Sequence, residues 1–513
     1  MFSNKNSQLN LYVVLKNTSI LLCVFLCSFS CKKYNSNQIR EIDKVLVKLH
    51  KENQFNGNVL IAQKGNIIYE KSFGYSNIEK KIPLKSSSIF NIASVSKTFT
   101  VVGIMMLVQE NKLQLDEKVC NYLPKFPYKN ISIRHLLTHT SGLVRIQSQP
   151  FKKEIEGKQL SNINLVNKLI EIAPKLYFLP GTDYFYSNTN YNILAHVLEK
   201  TTKLNFNIFL KDRIFKKLKM KNTFLGKKNV PRKSKSEIVS NYTKTEWLSN
   251  VYDEVSSLDS SLSDITTFGN TYGHSLIHTT TQDLLKFHNA LINNSLLDKD
   301  SQKEIYKSFK LTNSKEYVVD KESNYPSYRG LGWCIARENP NVVYHAGGII
   351  GSRSFFISNI EKDLCVIILS NNDEMGRYNF TFPMRILEGK NYNLDSISMP
   401  KLFARTYIKE GLNKALEKYH RYKNSKKNIP FITWDFEEIG AELISKNDIN
   451  AAVELYKLYT AQFPKEEYSW SLLADAYLLN KDTANALINY RKALKIRPNF
   501  KEVLSTINKI KKI

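Results

Sequence analysis

A serine and a lysine stand three positions apart in Ser94-Val95-Ser96-Lys97, just before an apolar stretch over residues 99–106. Residues three apart on a helix lie on the same face, so the Lys97 ammonium can reach the Ser94 hydroxyl oxygen. A lysine buried beside an apolar helix loses proton affinity and can accept the serine proton. The amides at a helix start can also stabilise a developing oxyanion. The spacing predicts a nucleophilic serine, with an ordinary helix N-cap at Ser94 as the alternative.

Two further motifs could complete this chemistry. A Tyr-Ser-Asn run at residues 186–188 follows a turn-rich stretch, and a His-Ala-Gly-Gly run at residues 345–348 comes shortly before predicted strands. A phenol beside a cationic lysine has a lowered pKa, so Tyr186 can take the serine proton and return it to the leaving group. A glycine-rich strand edge lets the backbone approach a substrate carbonyl and donate an amide to the oxyanion. Together the motifs predict acyl transfer through a covalent serine intermediate.

The elements that must position these motifs are predicted to form an α+β domain. Two apolar runs, at residues 59–62 and 67–69, are separated by a Gln-Lys-Gly-Asn turn and predict a β-hairpin. With strands at both ends and helices in the middle, we expect an antiparallel sheet closed by the C-terminal strands. The predicted helices cover residues 39–50, 95–110, 162–173, 189–201, 204–218 and 281–292, and the later strands cover residues 332–335, 354–357 and 364–369.

The order Ser-x-x-Lys, Tyr-x-Asn, His-x-Gly resembles the serine β-lactamase-related family, which includes class C β-lactamases, D-Ala-D-Ala carboxypeptidases, D-aminopeptidases and related esterases. Further matches are runs at residues 133–143, 180–181, 214–220 and 328–333, and the likeness covers roughly residues 39–392. The resemblance implies a β-lactamase-like antiparallel sheet flanked by helices, with a mostly helical subdomain. It also implies a serine hydrolase that cleaves an ester or amide bond (peptide, D-amino-acid or β-lactam-like) through an acyl-enzyme.

The resemblance assigns roles to the motif residues. Ser94 is the nucleophile, Lys97 and Tyr186 share the duty of general base, and Asn188 positions either the substrate or Lys97. The chain departs from the family at residues 273–280, where members usually carry a glycine-rich Ser-Thr turn before an Asp-Leu pair. We expect this loop to border the site.

The third motif is expected to form the substrate-binding strand. By the resemblance, His345 and Gly347 line this strand, and the backbone amides of Ser94 and Gly348 form the oxyanion hole. β-Lactam specialists of the family usually carry lysine at the position of His345. Because histidine is largely neutral at pH 7, we expect weaker binding of substrate carboxylates and readier use of neutral or cationic substrates.

Two histidine pairs with helical spacing raise the question of a metal site. His135 and His139 stand four positions apart, and so do His274 and His278. Neither pair has a carboxylate or third ligand at a fixed spacing, so we expect structural roles, no metal and no cofactor. The cysteines beyond the leader, Cys120, Cys334 and Cys365, match no zinc or redox motif. We expect them to be buried, with at most one disulfide among them.

Residues 393–513 show self-similarity at an offset of 34 positions and predict tetratricopeptide-like helical repeats. An unrelated helical bundle is the alternative. The matching positions are Trp470, Leu473, Ala474, Tyr477, Ala486, Tyr490, Ala493 and Pro498, with Phe436, Ile439, Gly440, Leu443, Ala452, Tyr456, Tyr459 and Pro464 before them. Such repeats can recruit a protein partner or brace the preceding domain.

The N-terminus predicts export. Residues 1–30 carry lysines ahead of an apolar run that is too short to span a bilayer, which is typical of a signal peptide. The run resembles a relaxed bacterial lipoprotein signal, in which Cys31 is lipidated and tethers the chain to a cell-envelope membrane. Simple secretion is the alternative, and residues 31–38 are expected to be a linker.

The charge of the chain does not favour nucleic-acid binding. The formal net charge is +27, but residues 396–513 carry 21 Lys or Arg and 13 Asp or Glu, a net +8 close to their share. A dispersed excess without a basic-aromatic cluster indicates a solvated surface. The expected ligands are therefore a small-molecule or peptide substrate, with an inactive penicillin-binding-like scaffold that recruits partners through its repeats as the alternative function.

Overall fold

The computed structural model describes residues 36–145, 161–226, 229–249, 251–258, 271–319, 325–374, 380–392, 394, 398–425 and 429–510. The predicted signal peptide and Cys31 lie outside these residues. The strands are β1 Gly57–Gln63, β2 Asn66–Phe73, β3 Tyr75–Asn77, β4 Ile82–Pro83, β5 Phe90–Asn91, β6 Phe224–Leu225, β7 Tyr242–Thr243, β8 Asp253–Glu254, β9 Ile277–Thr279, β10 Ser327–Arg329, β11 Cys334–Ala336, β12 Val342–Ile349, β13 Ser352–Asn359 and β14 Leu364–Ser370.

The helices fill the middle and the C-terminal part of the chain. They are α1 Ser36–Lys51, α2 Ser96–Gln109, α3 Val119–Tyr122, α4 Ile133–Leu137, α5 Asn162–Ile172, α6 Asn188–Thr202, α7 Phe206–Leu210, α8 Thr281–Ile292, α9 Lys299–Ile305, α10 Phe382–Leu387, α11 Met399–Glu410, α12 Leu412–Lys423, α13 Thr433–Ser445, α14 Ile449–Gln462, α15 Glu467–Leu479, α16 Thr483–Ile496 and α17 Lys501–Ile510. The helix predicted over residues 204–218 is shorter, because α7 passes into a π-helical turn at Lys211–Phe215.

The main sheet has seven antiparallel strands in the order β10-β11-β12-β13-β14-β1-β2. The predicted hairpin is β1–β2, and β1 also pairs with β14, where Gly57 lies opposite Ser370. The prediction of an antiparallel sheet closed by C-terminal strands is therefore confirmed, and so is the α+β class.

Each face of the sheet covers a separate core because successive side chains point to opposite sides. Phe356, Ile367 and Leu369 pack with the central helices, whereas Phe355, Val366 and Ile368 pack with the helices α1 and α10. In α2 the residues from Ser96 to Leu107 are all buried. A helix that is buried on every side lies inside the domain, so Ser94, just before its start, is attached to a core element.

The C-terminal helices form antiparallel hairpins with the predicted period. The helices α13 and α15 begin 34 positions apart, at Thr433 and Glu467, and α14 and α16 repeat that interval. At Gly440 an added Cβ would lie 2.2 Å from the Tyr456 ring, so only glycine allows the two helices to approach this closely. The all-helical segment is confirmed, and the tetratricopeptide assignment stays a prediction.

The segment over residues 242–248 contacts both the sheet domain and the C-terminal helices. At its start, the Tyr242 amide donates to the Asn371 carbonyl oxygen (2.9 Å). Farther along, the Trp247 and Leu248 amides donate to the Glu442 carboxylate of α13, at 2.5 and 3.0 Å. Residues 242–248 thus connect the sheet domain to the C-terminal helices.

Of the three cysteines, Cys334 and Cys365 are buried as predicted, but Cys120 is half-buried, and no disulfide joins any of them within the residues that the structure describes. Cys120 differs because its short helix α3 lies at the edge of the core. Within the described part of the chain, no helix has the length and apolar character to cross a membrane.

Candidate active site

Ser94 lies in a single 3-10 turn, Ala93–Val95, between β5 and α2. The N-cap position of α2 is Val95, which makes no side-chain capping bond, so the ordinary N-cap at Ser94 is wrong. Ala93 has a φ of +44°, and its amide donates to the Asn91 Oδ1 atom at 2.9 Å. Ser94, the predicted nucleophile, therefore lies on a tight turn next to a residue with left-handed backbone, and not inside the helix.

Lys97 is fully buried beneath Ser94. Its Nζ atom lies 3.1 Å from Ser94 Oγ and donates to the His274 carbonyl oxygen at 2.9 Å. The same Nζ is 5.0 Å from the centroid of the Tyr186 ring. Burial first, and the nearby Arg329 cation second, hold the pKa of Lys97 well below its usual range. A neutral Lys97 amine can accept the Ser94 proton, as the sequence predicted.

Tyr186 lies on the loop before α6. Its ring is next to Lys97, which in turn contacts Ser94. The Arg145 guanidinium donates through Nε to the Tyr186 carbonyl oxygen (2.9 Å), which fixes the backbone of the loop. Asn188 is the first residue of α6. Its Oδ1 atom is buried and has no hydrogen-bond partner among the residues that the structure describes. Such an acceptor is suited to position either the substrate or Lys97, and this role of Asn188 stays a prediction.

The strand β12 places residues 345–348 against the turn at Ala93–Val95 that carries Ser94. A Cβ added at Gly347 would lie 2.5 Å from the Ile92 carbonyl oxygen and 3.0 Å from the Ser94 amide nitrogen. His345 lies on the same strand, buried, with Nδ1 2.8 Å from the Ala346 carbonyl oxygen. Gly348, the predicted second oxyanion donor, is exposed at the strand's end. The structure thus assembles the predicted catalytic residues and this strand in one place.

The loop at residues 273–280 borders the site, as expected from its departure from the family pattern. The His274 carbonyl oxygen accepts from Lys97, and the Gly273 carbonyl oxygen accepts from Thr100 Oγ1 at 2.6 Å. The His274 ring is buried, and burial together with Lys97 lowers its pKa to about 3. His278 stacks on Phe224, with ring centroids 5.2 Å apart.

The histidines lie apart from any metal-type cluster. Among the described residues, no three His, Cys, Asp or Glu side chains are grouped to hold a metal ion. His135 closes a capping box at the start of α4, where its amide donates to Ser132 Oγ and its Nδ1 accepts from the Ser132 amide.

Arg329 is a site residue that sequence reasoning missed. It belongs to the matched run 328–333, is 8% exposed, and lies on β10 with its Cζ 5.9 Å from the Tyr186 ring centroid. Its Nη2 donates to the Tyr184 hydroxyl at 2.8 Å. A permanent cation therefore stands close to the site, so the expectation of weak carboxylate binding, drawn from His345 alone, is incomplete. The available signal was an arginine just before Gly-Leu-Gly-Trp, the run that leads into the strand predicted over residues 332–335.

Comparison with known proteins agrees with this geometry. A family profile described as Beta-lactamase matches residues 42–388. Penicillin-binding protein 4* of Bacillus subtilis (strain 168) is 31% identical over 347 residues, which cover 67% of this chain and 74% of that protein. The repeats at residues 393–513 lie beyond the family match.

Solved structures show the same fold. The octameric penicillin-binding protein homologue from Pyrococcus abyssi has a TM-score of 0.58 at 22% identity, covering 71% of this chain and 81% of its own. The D-amino acid amidase from Ochrobactrum anthropi SV3, complexed with L-phenylalanine amide, has a TM-score of 0.55 at 23% identity, covering 69% and 98%. The α+β part of this chain is therefore β-lactamase-like in fold.

Proposed function

Because the chain belongs to the β-lactamase family, we propose that it is a serine hydrolase that cleaves an ester or amide bond through an acyl-enzyme on Ser94. The observation that carries the proposal is the 3.1 Å approach of a fully buried Lys97 Nζ to Ser94 Oγ. Burial of an amine without a carboxylate partner is costly, and this cost favours the neutral form that can accept a proton.

Acylation begins when Ser94 Oγ attacks the substrate carbonyl carbon and Lys97 accepts the hydroxyl proton. The backbone amides of Ser94 and Gly348 donate hydrogen bonds to the oxyanion. Tyr186, next to Lys97, passes the proton to the leaving alcohol or amine as the bond to carbon breaks. Water then attacks the Ser94 ester, and the same pair takes up the proton of the water and returns it to Ser94 Oγ.

The proposed substrates are small molecules or peptides with a reactive ester or amide, of the D-amino-acid or β-lactam-like kind. A D-amino acid amidase and penicillin-binding proteins share the fold, which supports this range. The permanent charge of Arg329, close to Tyr186, supports including substrates that carry a carboxylate. His345 on the substrate strand supports including neutral esters and amides.

Catalysis is better supported than an inactive scaffold. A scaffold that had lost its activity would be free to lose a catalytic group. Here Ser94, Lys97 and Tyr186 are all present and adjacent, and the strand at residues 345–348 packs against them. The repeats are proposed as a brace for the hydrolase domain and as a surface for a protein partner.

The proposed location is the bacterial cell envelope, after export, with a lipid on Cys31 that holds the chain at a membrane. Support comes from the signal-like residues 1–30 and from the small residues just before Cys31.

A substrate panel tests the proposed activity. Purified protein and the Ser94→Ala variant are incubated with short acyl esters, D-amino-acid amides, D-Ala-D-Ala peptides, a penicillin and a cephalosporin. We expect hydrolysis of at least one class by the wild type and none by the variant, with equal thermal unfolding temperatures. Hydrolysis that persists in Ser94→Ala would contradict the proposal.

A further inference from the structure

His139 packs against the Tyr186 ring and hydrogen-bonds to the backbone of the residues before and after Tyr186. The His139 carbonyl oxygen accepts from the Phe185 amide at 3.0 Å, and His139 Nδ1 accepts from the Ser187 amide at 3.2 Å. The imidazole also packs against the phenol in a tilted arrangement, with ring centroids 4.3 Å apart and an interplanar angle of 32°. One residue therefore binds the backbone on each side of Tyr186 and packs against its ring.

The tautomer of His139 follows from these contacts. Its Nδ1 also lies 3.2 Å from the Asn190 side-chain nitrogen, so the ring nitrogen accepts from two donors and carries no proton. In a neutral ring the proton must then be on Nε2. That atom is buried and has no hydrogen-bond partner among the described residues.

The surroundings of His139 keep the ring neutral. Burial, first, and then the neighbouring cations hold the pKa of His139 well below its usual range. The groups that face it are Lys97 of α2, Arg329 of β10, His345 of β12 and the rings of Tyr184, Tyr186 and Tyr191. A ring that stays neutral at working pH cannot exchange the catalytic proton, so its value to the site is geometric.

We infer that His139 is a positioning residue that fixes Tyr186 against Lys97 through its Nδ1 acceptor and its ring face. The inference rests on the proposed hydrolase function. His139 has a left-handed φ of +61°, and it is completely buried. The contact of its buried ring with the Tyr186 ring and the bond from the Ser187 amide to Nδ1 both restrict the position of the phenol. Misplacement of a catalytic group by about 1 Å can cost about 100-fold in rate.

Two substitutions separate the contributions of the acceptor and the ring. His139→Phe keeps a stacking ring but removes Nδ1, whereas His139→Asn keeps an acceptor near the Nδ1 position and tolerates the left-handed φ. We expect kcat to fall at least about 10-fold in His139→Phe with KM little changed, and to recover in part in His139→Asn. The pH profile of kcat should shift in His139→Phe, because the proton path between Lys97 and Tyr186 is altered.

The matched control is His135→Asn. His135 lies four positions earlier in the same run, is also hydrogen-bonded through Nδ1, and contacts Ser132 rather than Tyr186. We expect this variant to keep the wild-type kcat and pH profile even if its unfolding temperature drops. If His139→Phe loses no more activity than His135→Asn, the positioning role is refuted. A wild type that hydrolyses nothing on the panel would instead refute the proposed function.

A measurement on the unsubstituted protein covers the case in which the variants fail to fold. Nitrogen-15 NMR of labelled histidine should show one ring protonated on Nε2, with Nδ1 unprotonated, that does not titrate between about pH 5.5 and about pH 8. Its assignment to His139 follows from an NOE to the Tyr186 ring. A proton on Nδ1, or titration in this range, would overturn the inference.

Discussion

Substitution of Gly347 by alanine tests how closely the strand β12 must approach the turn at Ala93–Val95, which carries Ser94. The new Cβ would lie 2.3 Å from Ser354 Oγ, 2.5 Å from the Ile92 carbonyl oxygen and 3.0 Å from the Ser94 amide nitrogen. Ser354 cannot simply rotate away, because its Oγ donates to that same Ile92 oxygen at 2.7 Å. Normal van der Waals contact therefore requires the strand or the Ser94 turn to move by about 1 Å.

The sizes of the expected losses in stability and in kcat follow from displacement of the Ser94 turn. Overpacking of this kind costs about 1–3 kcal/mol in the free energy of unfolding. Displacement of the Ser94 amide removes a donor from the proposed oxyanion hole, which is worth about 100-fold to 1000-fold in kcat. We expect Gly347→Ala to unfold at a lower temperature and to lose at least about 100-fold in kcat on the best substrate of the panel.

The neighbouring glycine provides the control. A Cβ at Gly348 would meet only the end of the Arg353 side chain, at 3.3 Å, and that side chain can move. Gly348→Ala keeps its backbone amide, so kcat should stay within about threefold of the wild type. Wild-type kcat in Gly347→Ala would show that this strand does not border the reacting centre, and an equal loss in both variants would show that the loss does not come from the close approach at Gly347.

Three other predictions follow from the site and the sequence. Tyr186→Phe should lower kcat at least about 100-fold without loss of folding, as judged by circular dichroism and steady-state kinetics. His274 has a folded pKa of about 3, below its ordinary 6.5, so the unfolded chain binds the extra proton and stability falls as pH falls below 6.5. The free energy of unfolding in urea should therefore fall by roughly 2 kcal/mol, because of this residue, between about pH 7 and about pH 5. A free energy of unfolding that stays constant over this range would contradict the burial of His274. Cys31→Ser should move the protein from the membrane fraction to the soluble fraction, and a soluble wild type would refute the lipid tether.

Much of the site could be predicted from the sequence because its contacts are local or belong to short motifs. Ser94 and Lys97 are only three positions apart, so the 3-10 turn and the first turn of α2 bring them together, and the glycines of β12 indicate backbone approach. The hairpin β1–β2 and the buried helix α2 were equally accessible, since apolar periodicity determines both.

The remaining site features depend on contacts between distant parts of the chain. Arg329 reaches Tyr184 and Tyr186 because it lies on the edge strand β10, and nothing local to its sequence states which loop that edge will face. The hydrogen bonds of His139 to Phe185 and Ser187 join positions more than 40 residues apart, and His139 has a left-handed backbone that the local sequence does not indicate. The tie between residues 247–248 and Glu442 joins positions almost 200 residues apart, beyond the reach of any periodicity.

The central claim is that Ser94 is an activated nucleophile, and covalent labelling tests it most directly. Purified protein is treated with a fluorophosphonate or β-lactam probe, digested, and analysed by peptide mass spectrometry. The account predicts a single adduct on the peptide that contains Ser94, and labelling at least about 100-fold slower in Lys97→Ala. An unlabelled wild type, under conditions that label penicillin-binding protein 4* of Bacillus subtilis, would contradict it, and so would an adduct on another residue.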